Sequence, residues 1–163
     1  MKFITNTSDL SKYLSIPFKE NSVIKSISTD TRSIKKDSMF IAIKGENFDG
    51  NDFVDEALEK GAVIILADHK RYQEKKNKKI IYVKNTISSL KKISENIIKE
   101  FDGNVIAITG SNGKTTTTNL VYKTLKNSSK TLKNFNNEIG MPLSIMNASC
   151  KSNNLVLEIG ASK

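Results

Sequence analysis

Val105-Ile-Ala-Ile-Thr-Gly-Ser-Asn-Gly-Lys-Thr-Thr-Thr-Thr118 is the stretch on which the reading of this 163-residue chain turns. Residues 105–108 are apolar and have the pattern of a short buried strand. They run into two glycines, Gly110 and Gly113, that bracket Ser111 and Asn112. Lys114 and Thr115 follow at once, and helical patterning continues to about residue 126.

That order of residue types builds a phosphate cradle. Glycine reaches backbone angles closed to other residues and lets peptide N–H groups approach an anion closely. A helix starting directly after the loop points its unpaired first-turn amides and positive dipole end at the same spot. Lys114 can place an ammonium against terminal phosphates, and the Thr115 hydroxyl is placed to bind Mg²⁺. Both roles call for a nucleoside triphosphate. The common P-loop has four residues between its glycines, whereas Ser111 and Asn112 alone separate them here, so the form is abbreviated. A strand-to-helix turn with a chance Lys-Thr is the weaker reading, given the apolar strand before the loop and the four threonines after Lys114.

A second strand pattern, residues 155–157, delivers Glu158 at its carboxyl end, the edge where open parallel sheets hold their ligands. A carboxylate there can reach a metal ion held by Thr115, which makes Thr115 and Glu158 the candidate metal ligands. A surface glutamate at a strand end is the alternative.

The rest of the chain reads as alternating strands and helices. A weak helix signal covers residues 1–18, with Ser8 or Asp9 as caps, and strands are expected at 23–27, 39–43, 63–67 and 80–83. Helices are expected at 52–60, stopped by Gly61, and from Asn85 or Thr86 to Phe101, with Leu90, Ile93, Ile97 and Phe101 on one face. Leu120, Val121 and Leu125 form the expected core stripe of the helix after the cradle. Asp102-Gly103-Asn104 is a break, so the expected division is a domain at 1–84, a connecting helix at 85–103 and a nucleotide domain at 104–163.

Three polar clusters stand out between these elements. Thr29-Asp30-Thr31-Arg32 is either a cap or turn, with Asp30 paired to Arg32, or a ligand loop. Lys44-Gly45-Glu46-Asn47-Phe48-Asp49-Gly50 is bounded by glycines and could be purely structural. Asn134-Phe135-Asn136-Asn137-Glu138, ahead of Pro142, is an asparagine-rich turn or a loop presenting amides.

Bulk properties remove several classes. No apolar run approaches bilayer length and the start turns polar too early for a signal peptide, so a cytoplasmic protein is expected. The single cysteine, Cys150, is expected as a semi-buried small hydrophobe, and the single histidine, His69, as a surface residue with no metal cluster to join. A net charge of +9 invites nucleic acid, but the densest basic run, residues 69–79, carries one aromatic and no recognised motif. A solvated connection between two strands fits it better, and no nucleic-acid or membrane partner is expected.

The loop Thr109-Gly-Ser-Asn-Gly-Lys-Thr115 resembles the ATP loop of the Mur ligases and of the related folylpolyglutamate synthases. Asn134-Phe-Asn-Asn-Glu-Ile-Gly-Met-Pro-Leu143, Leu157-Glu-Ile-Gly-Ala161, Thr29-Asp-Thr-Arg32 and Lys44-Gly-Glu-Asn-Phe-Asp-Gly50 are together similar to the branch of the Mur family that joins D-alanyl-D-alanine to UDP-N-acetylmuramoyl-tripeptide. The resemblance implies an α/β fold: a small N-terminal α/β domain binding the UDP-sugar, then the start of a P-loop-type parallel-sheet ATPase domain. It implies ATP and Mg²⁺ as cofactors, acting through an acyl phosphate that the incoming amine displaces. By the resemblance, Lys114 and Glu158 are the catalytic candidates, and Gly110, Ser111, Asn112, Gly113, Lys114, Thr115 and Thr116 hold the nucleotide. Thr29, Asp30, Thr31, Arg32, Lys44, Gly45, Asn47, Asp49, Gly50, Asn136 and Asn137 hold the acceptor substrate.

Ligases of this kind have three domains, so a chain ending at Lys163 is expected to be an N-terminal fragment, a monomer that does not ligate by itself. Another Mur ligase, a folylpolyglutamate synthase-like enzyme and a non-catalytic UDP-sugar-binding module remain the alternatives.

Overall fold

The computed structural model describes residues 3–17, 21–74, 77–132 and 136–160. Its contacts divide the chain into two compact units, Ile4–Ser89 and Leu90–Lys163 with Met1–Phe3.

The first unit opens with α1, Thr7–Leu14. Asn6, rather than Ser8 or Asp9, is its cap: the Asn6 side chain accepts from the Asp9 amide, and the Asp9 carboxylate accepts from the Asn6 amide. This reciprocal box satisfies two amides that the first turn leaves without helical partners. Four strands follow, β1 (Ser26–Ser28), β2 (Ser38–Ile41), β3 (Ala62–Ala67) and β4 (Ile80–Tyr82), paired in that order and all parallel. Parallel neighbours need crossover connections, and α2 (Val54–Glu59) supplies the one between β2 and β3. Gly61, at φ +95°, turns the chain from α2 into β3. The apolar runs of β2 and β3 are buried almost throughout, as a sheet covered on both faces requires. Phe40, Ala42, Val54, Ala57, Ile65 and Ile80 form the core of this unit.

Helix α3, Thr86–Glu100, begins in the first unit and ends in the second, so the boundary between units falls inside it. Asn85 accepts from the Ser88 amide as its cap, and Leu90, Ile93 and Ile97 are fully buried.

The second unit carries β5 (Asn104–Ile108), α4 (Lys114–Thr124), β6 (Ser128–Lys130), α5 (Gly140–Asn147) and β7 (Asn154–Glu158). Its parallel sheet has the order β5-β7-β6. The apolar strand β7 is central and buried along its whole length.

Three expectations are corrected here. β5 is not buried: it is an edge strand among the described residues, and Val105 is 44% exposed. Leu120 is 59% exposed and Val121 and Leu125 are only half-buried, because the described residues place no layer over that face of α4. Cys150 is exposed in the turn between α5 and β7. No helix among the described residues is long and apolar enough to cross a membrane.

Candidate functional site

In the second unit the loop between β5 and α4 is shaped by its glycines. Gly110 lies at φ +149° and Gly113 at φ +75°, and Gly113 is the cap residue of α4. A Cβ on Gly113 would meet nothing within 4 Å, so the dihedral, not crowding, calls for glycine. Ser111, Asn112, Thr115 and Thr116 are exposed around the loop, and the Lys114 ammonium donates to the Gly110 carbonyl at 2.6 Å. An ammonium has three protons, so this bond leaves two for an incoming anion.

Glu158 ends β7, and its register partner on β5 is Ile108, two residues before Gly110. The Ile159 amide donates to the Ile108 carbonyl at 2.9 Å, which extends the ladder to the mouth of the cradle. Glu158 is 3% exposed. Its amide donates to Thr131 Oγ1 at 2.7 Å, and its Oε1 accepts from Asn136 Nδ2 at 3.0 Å. No lysine or arginine pairs with it among the described residues. A buried carboxylate held by one neutral amide is costly unless a cation joins it. Mg²⁺ suits that position, since it takes one or two carboxylates and completes its shell with phosphate oxygens and water.

Asn136 and Asn137 are both engaged within the protein. The Asn136 carbonyl also accepts from the Gly160 amide at 2.8 Å, and a Cβ on Gly160 would meet that oxygen at 2.7 Å. Asn137 Oδ1 accepts from the Ile139 and Gly140 amides at the start of α5. Asn134, Phe135 and Ala161 lie outside the described residues.

In the first unit two loops leave the carboxyl ends of neighbouring strands. After β1, Asp30 caps the 3-10 turn Thr31–Ser33 by accepting from the Arg32 amide, and its carboxylate also takes a fork of bonds from the Arg32 guanidinium at 2.7–3.1 Å. Hydrogen bonding to Asp30, reinforced by its charge, raises the Arg32 pKa. The Arg32 side chain is 87% exposed, so this is a surface pair. Thr31 is buried, and its carbonyl accepts from Lys60 Nζ.

After β2 the loop doubles back on itself. Lys44 and Asp49 form an antiparallel bridge, the Gly45 amide donates to the Phe48 carbonyl, and the Gly50 amide donates to the Ile43 carbonyl, both at 2.9 Å. Lys44, Gly45, Asn47 and Phe48 are exposed on it. Burial pushes the Asp49 carboxyl up, but bonds from the Asn51 amide and side chain and the positive field of Lys44 and His69 outweigh it, so its pKa is lowered. A Cβ on Gly50 would lie 2.5 Å from the Ile43 nitrogen and 2.7 Å from its oxygen. Gly50→Ala is therefore expected to destabilise the unit by about 1–3 kcal/mol, the usual range for overpacking against a close-packed neighbour, read as a lower urea midpoint.

One residue central to this unit carries no signal in the sequence pattern. Asn51 is 2% exposed, and its Nδ2 donates to Asp49 Oδ1 at 2.8 Å and to Asp68 Oδ1 at 2.9 Å. Its Oδ1 accepts from the Asp68 and His69 amides, and its carbonyl accepts from Arg71 and from the Tyr72 hydroxyl. Asp68 in turn accepts from the amide and hydroxyl of Thr86. The network ties the loop after β2 to the carboxyl ends of β3 and β4, around a cavity of about 490 Å³ lined by Lys44, Asp49, His69, Lys70 and Lys84.

Residues 23–101 match the Mur ligase family, catalytic domain, and residues 108–163 match the Mur ligase middle domain. The chain belongs to the Mur ligase family. This Mur ligase chain is 38% identical over 152 residues to the UDP-N-acetylmuramoyl-tripeptide--D-alanyl-D-alanine ligase of Bacillus subtilis (strain 168), covering 91% of this chain and 33% of that protein. The enzyme of that name from Buchnera aphidicola subsp. Baizongia pistaciae (strain Bp) is 42% identical over 141 residues, covering 85% of this chain and 30% of its own length. The crystal structure of MurF ligase from Thermotoga maritima in complex with ADP superposes with a TM-score of 0.72 at 37% identity, over 85% of this chain and 32% of that one. The chain thus spans about a third of the length of the relatives it matches. The α/β class with parallel sheets, a Mur N-terminal domain followed by middle-domain sequence, stands as expected.

Proposed function

We propose that this Mur ligase chain holds the acceptor and nucleotide sites of an ATP-dependent amide ligase of peptidoglycan precursor synthesis. It acts in the cytoplasm, and the enzyme joins D-alanyl-D-alanine to UDP-N-acetylmuramoyl-tripeptide. The observation that carries the reading is Glu158: a buried carboxylate without a cationic partner among the described residues, in register with the strand that feeds the phosphate cradle.

In this reading the first-turn amides of α4 and the backbone of residues 110–113 hold the phosphates of ATP, and Lys114 bridges the terminal ones. Thr115 and Glu158 would hold Mg²⁺, which would supply positive charge against the phosphate oxygens. Transfer of phosphate to a substrate carboxylate, and its displacement by an amine, gather negative charge on oxygen throughout. Lys114 therefore acts by electrostatic stabilisation and alignment, without a covalent step. Asn136, which donates to Glu158, and Asn137, which accepts from the Gly140 amide, are the contacts of this unit to the acceptor substrate. Thr29, Asp30, Thr31 and Arg32 with Lys44, Gly45, Asn47, Asp49 and Gly50 hold the uridine diphosphate end of the acceptor. The domains are 1–84 and 104–163, joined by 85–103, in a monomer.

The coverage and identity of the D-alanyl-D-alanine ligases named above favour that branch over other Mur enzymes. Titration calorimetry on the purified chain tests the proposal. Saturable binding of UDP-N-acetylmuramoyl-tripeptide and of Mg-ATP, without binding of folate, is the expected result. Uridine-ligand binding without Mg-ATP binding would favour a non-catalytic UDP-sugar module, and absence of uridine-ligand binding would overturn the acceptor reading.

A further inference from the structure

Asn112-Gly113 is the one asparagine-glycine step in the chain, and it lies in the turn from β5 into α4. In such a pair the side-chain carboxamide and the next backbone nitrogen meet with least hindrance, because glycine has no Cβ to hold them apart. Both groups are free here. The Asn112 carboxamide and the Gly113 amide make no hydrogen bond among the described residues, and both residues are exposed. Gly113 is the cap residue of α4, so its N–H stands outside the helical ladder.

The surroundings leave room for a ring to close. A Cβ built on Gly113 meets nothing within 4 Å. The two aspartate-glycine steps of the chain differ. At Gly50 the amide already donates to the Ile43 carbonyl at 2.9 Å, and an added Cβ lies 2.5 Å from the Ile43 nitrogen. At Gly103 an added Cβ lies 2.6 Å from the Asn153 carbonyl oxygen. Neighbouring backbone holds those two steps in place, and none among the described residues holds the step at Asn112.

We propose that Asn112 is a self-modification site through which an unliganded cradle ages. The Gly113 nitrogen attacks Asn112 Cγ: the N–Cγ bond forms, the Cγ–Nδ2 bond breaks, and the side-chain nitrogen leaves as ammonia with the proton from Gly113. Water then opens the five-membered imide at either carbonyl, giving aspartate or, with the main chain rerouted through the side chain, isoaspartate. Water is the only co-reactant, and nothing is oxidised or reduced. Either product puts a carboxylate into the loop, and isoaspartate also lengthens the backbone just ahead of Lys114. The consequence for phosphates rests on the nucleotide reading above. Like charge beside a bound triphosphate weakens its binding, and a phosphate held by the Gly113 N–H occupies the attacking nitrogen, so that liganded molecules are spared.

Incubating the purified chain in warm, mildly alkaline buffer and mapping its tryptic peptides by mass spectrometry tests this. The peptide 100–114 should gain the mass of an amide-to-acid change ahead of the other asparagine-containing peptides, fragmentation should place the gain at Asn112 rather than Asn104, and ammonia should appear in step. Mg-ATP well above its Kd should slow the conversion by about tenfold or more, and UDP should not. Asn112→Gln, whose longer side chain would have to close a larger ring, should stay unmodified over the same interval. Asn112→Asp should bind Mg-ATP about tenfold more weakly or worse, with UDP binding and the thermal midpoint unchanged. An Asn112 that stays intact while other asparagines convert would overturn the site. Conversion as fast with Mg-ATP bound as without it, or an Asn112→Asp variant that binds Mg-ATP like the parent, would break its link to the cradle. A parent chain that does not bind Mg-ATP would remove the nucleotide reading and the shielding together, while the mass change at Asn112 decides the modification site separately.

Discussion

Lys114→Met is expected to weaken Mg-ATP binding on the order of a hundredfold and to leave the fold intact. Methionine keeps the length and apolar stem of lysine and removes only the ammonium, whose one hydrogen bond among the described residues is to the Gly110 carbonyl on an exposed loop. Stability should therefore move by less than about 0.5 kcal/mol, as for surface changes away from core features. The bound triphosphate, by contrast, loses a charge-assisted contact to its terminal phosphates. Hydrogen bonds to charged groups contribute about 1.5–3 kcal/mol, and each 1.4 kcal/mol is about tenfold in affinity. UDP binding, assigned to loops of the other unit, should be unchanged, so one variant titrated with both nucleotides supplies its own control. Equal ATP affinity in parent and variant would remove Lys114 from the phosphate site.

Asn51→Ala is expected to destabilise the first unit strongly. The buried carboxamide makes four hydrogen bonds at once, to the carboxylates of Asp49 and Asp68 and from the amides of Asp68 and His69. Truncation takes the shared partner from two half-buried carboxylates and two amides at once. The expected cost is about 3 kcal/mol, roughly 12–24 °C in the unfolding midpoint of a domain this size. Asn51→Asp keeps the volume but turns a donor toward Asp49 and Asp68 into a third carboxylate, and should cost at least as much at neutral pH. An Asn51→Asp variant as stable as the parent would show that packing, not the polar network, carries this position.

How much of this was legible beforehand depends on what kind of signal each element carries. The turn from β5 into α4 could be read because its positive dihedrals at Gly110 and Gly113 restrict the residue type to glycine. Strands β2, β3 and β7 could be read because burial on both faces demands uninterrupted apolar runs. Strand β6 could not, since Ser128-Ser129-Lys130 has no apolar pattern and is a strand only through its ladder to β7. Asn51 escaped for a similar reason. A buried amide satisfied by partners 17 and 18 residues away in the chain leaves no periodicity, only an asparagine following Asp-Gly. The stripe on α4 misled because helical spacing reports which residues share a face, not whether any layer covers that face.

The exposed thiol of Cys150 offers a practical consequence. It is the only cysteine in the chain and lies four residues before β7, whose five residues then carry the chain roughly 17 Å to Glu158. A maleimide dye coupled there would sit at the opposite rim of the sheet from the cradle, so the chain can be labelled or tethered without touching the proposed nucleotide site and without an engineered attachment point.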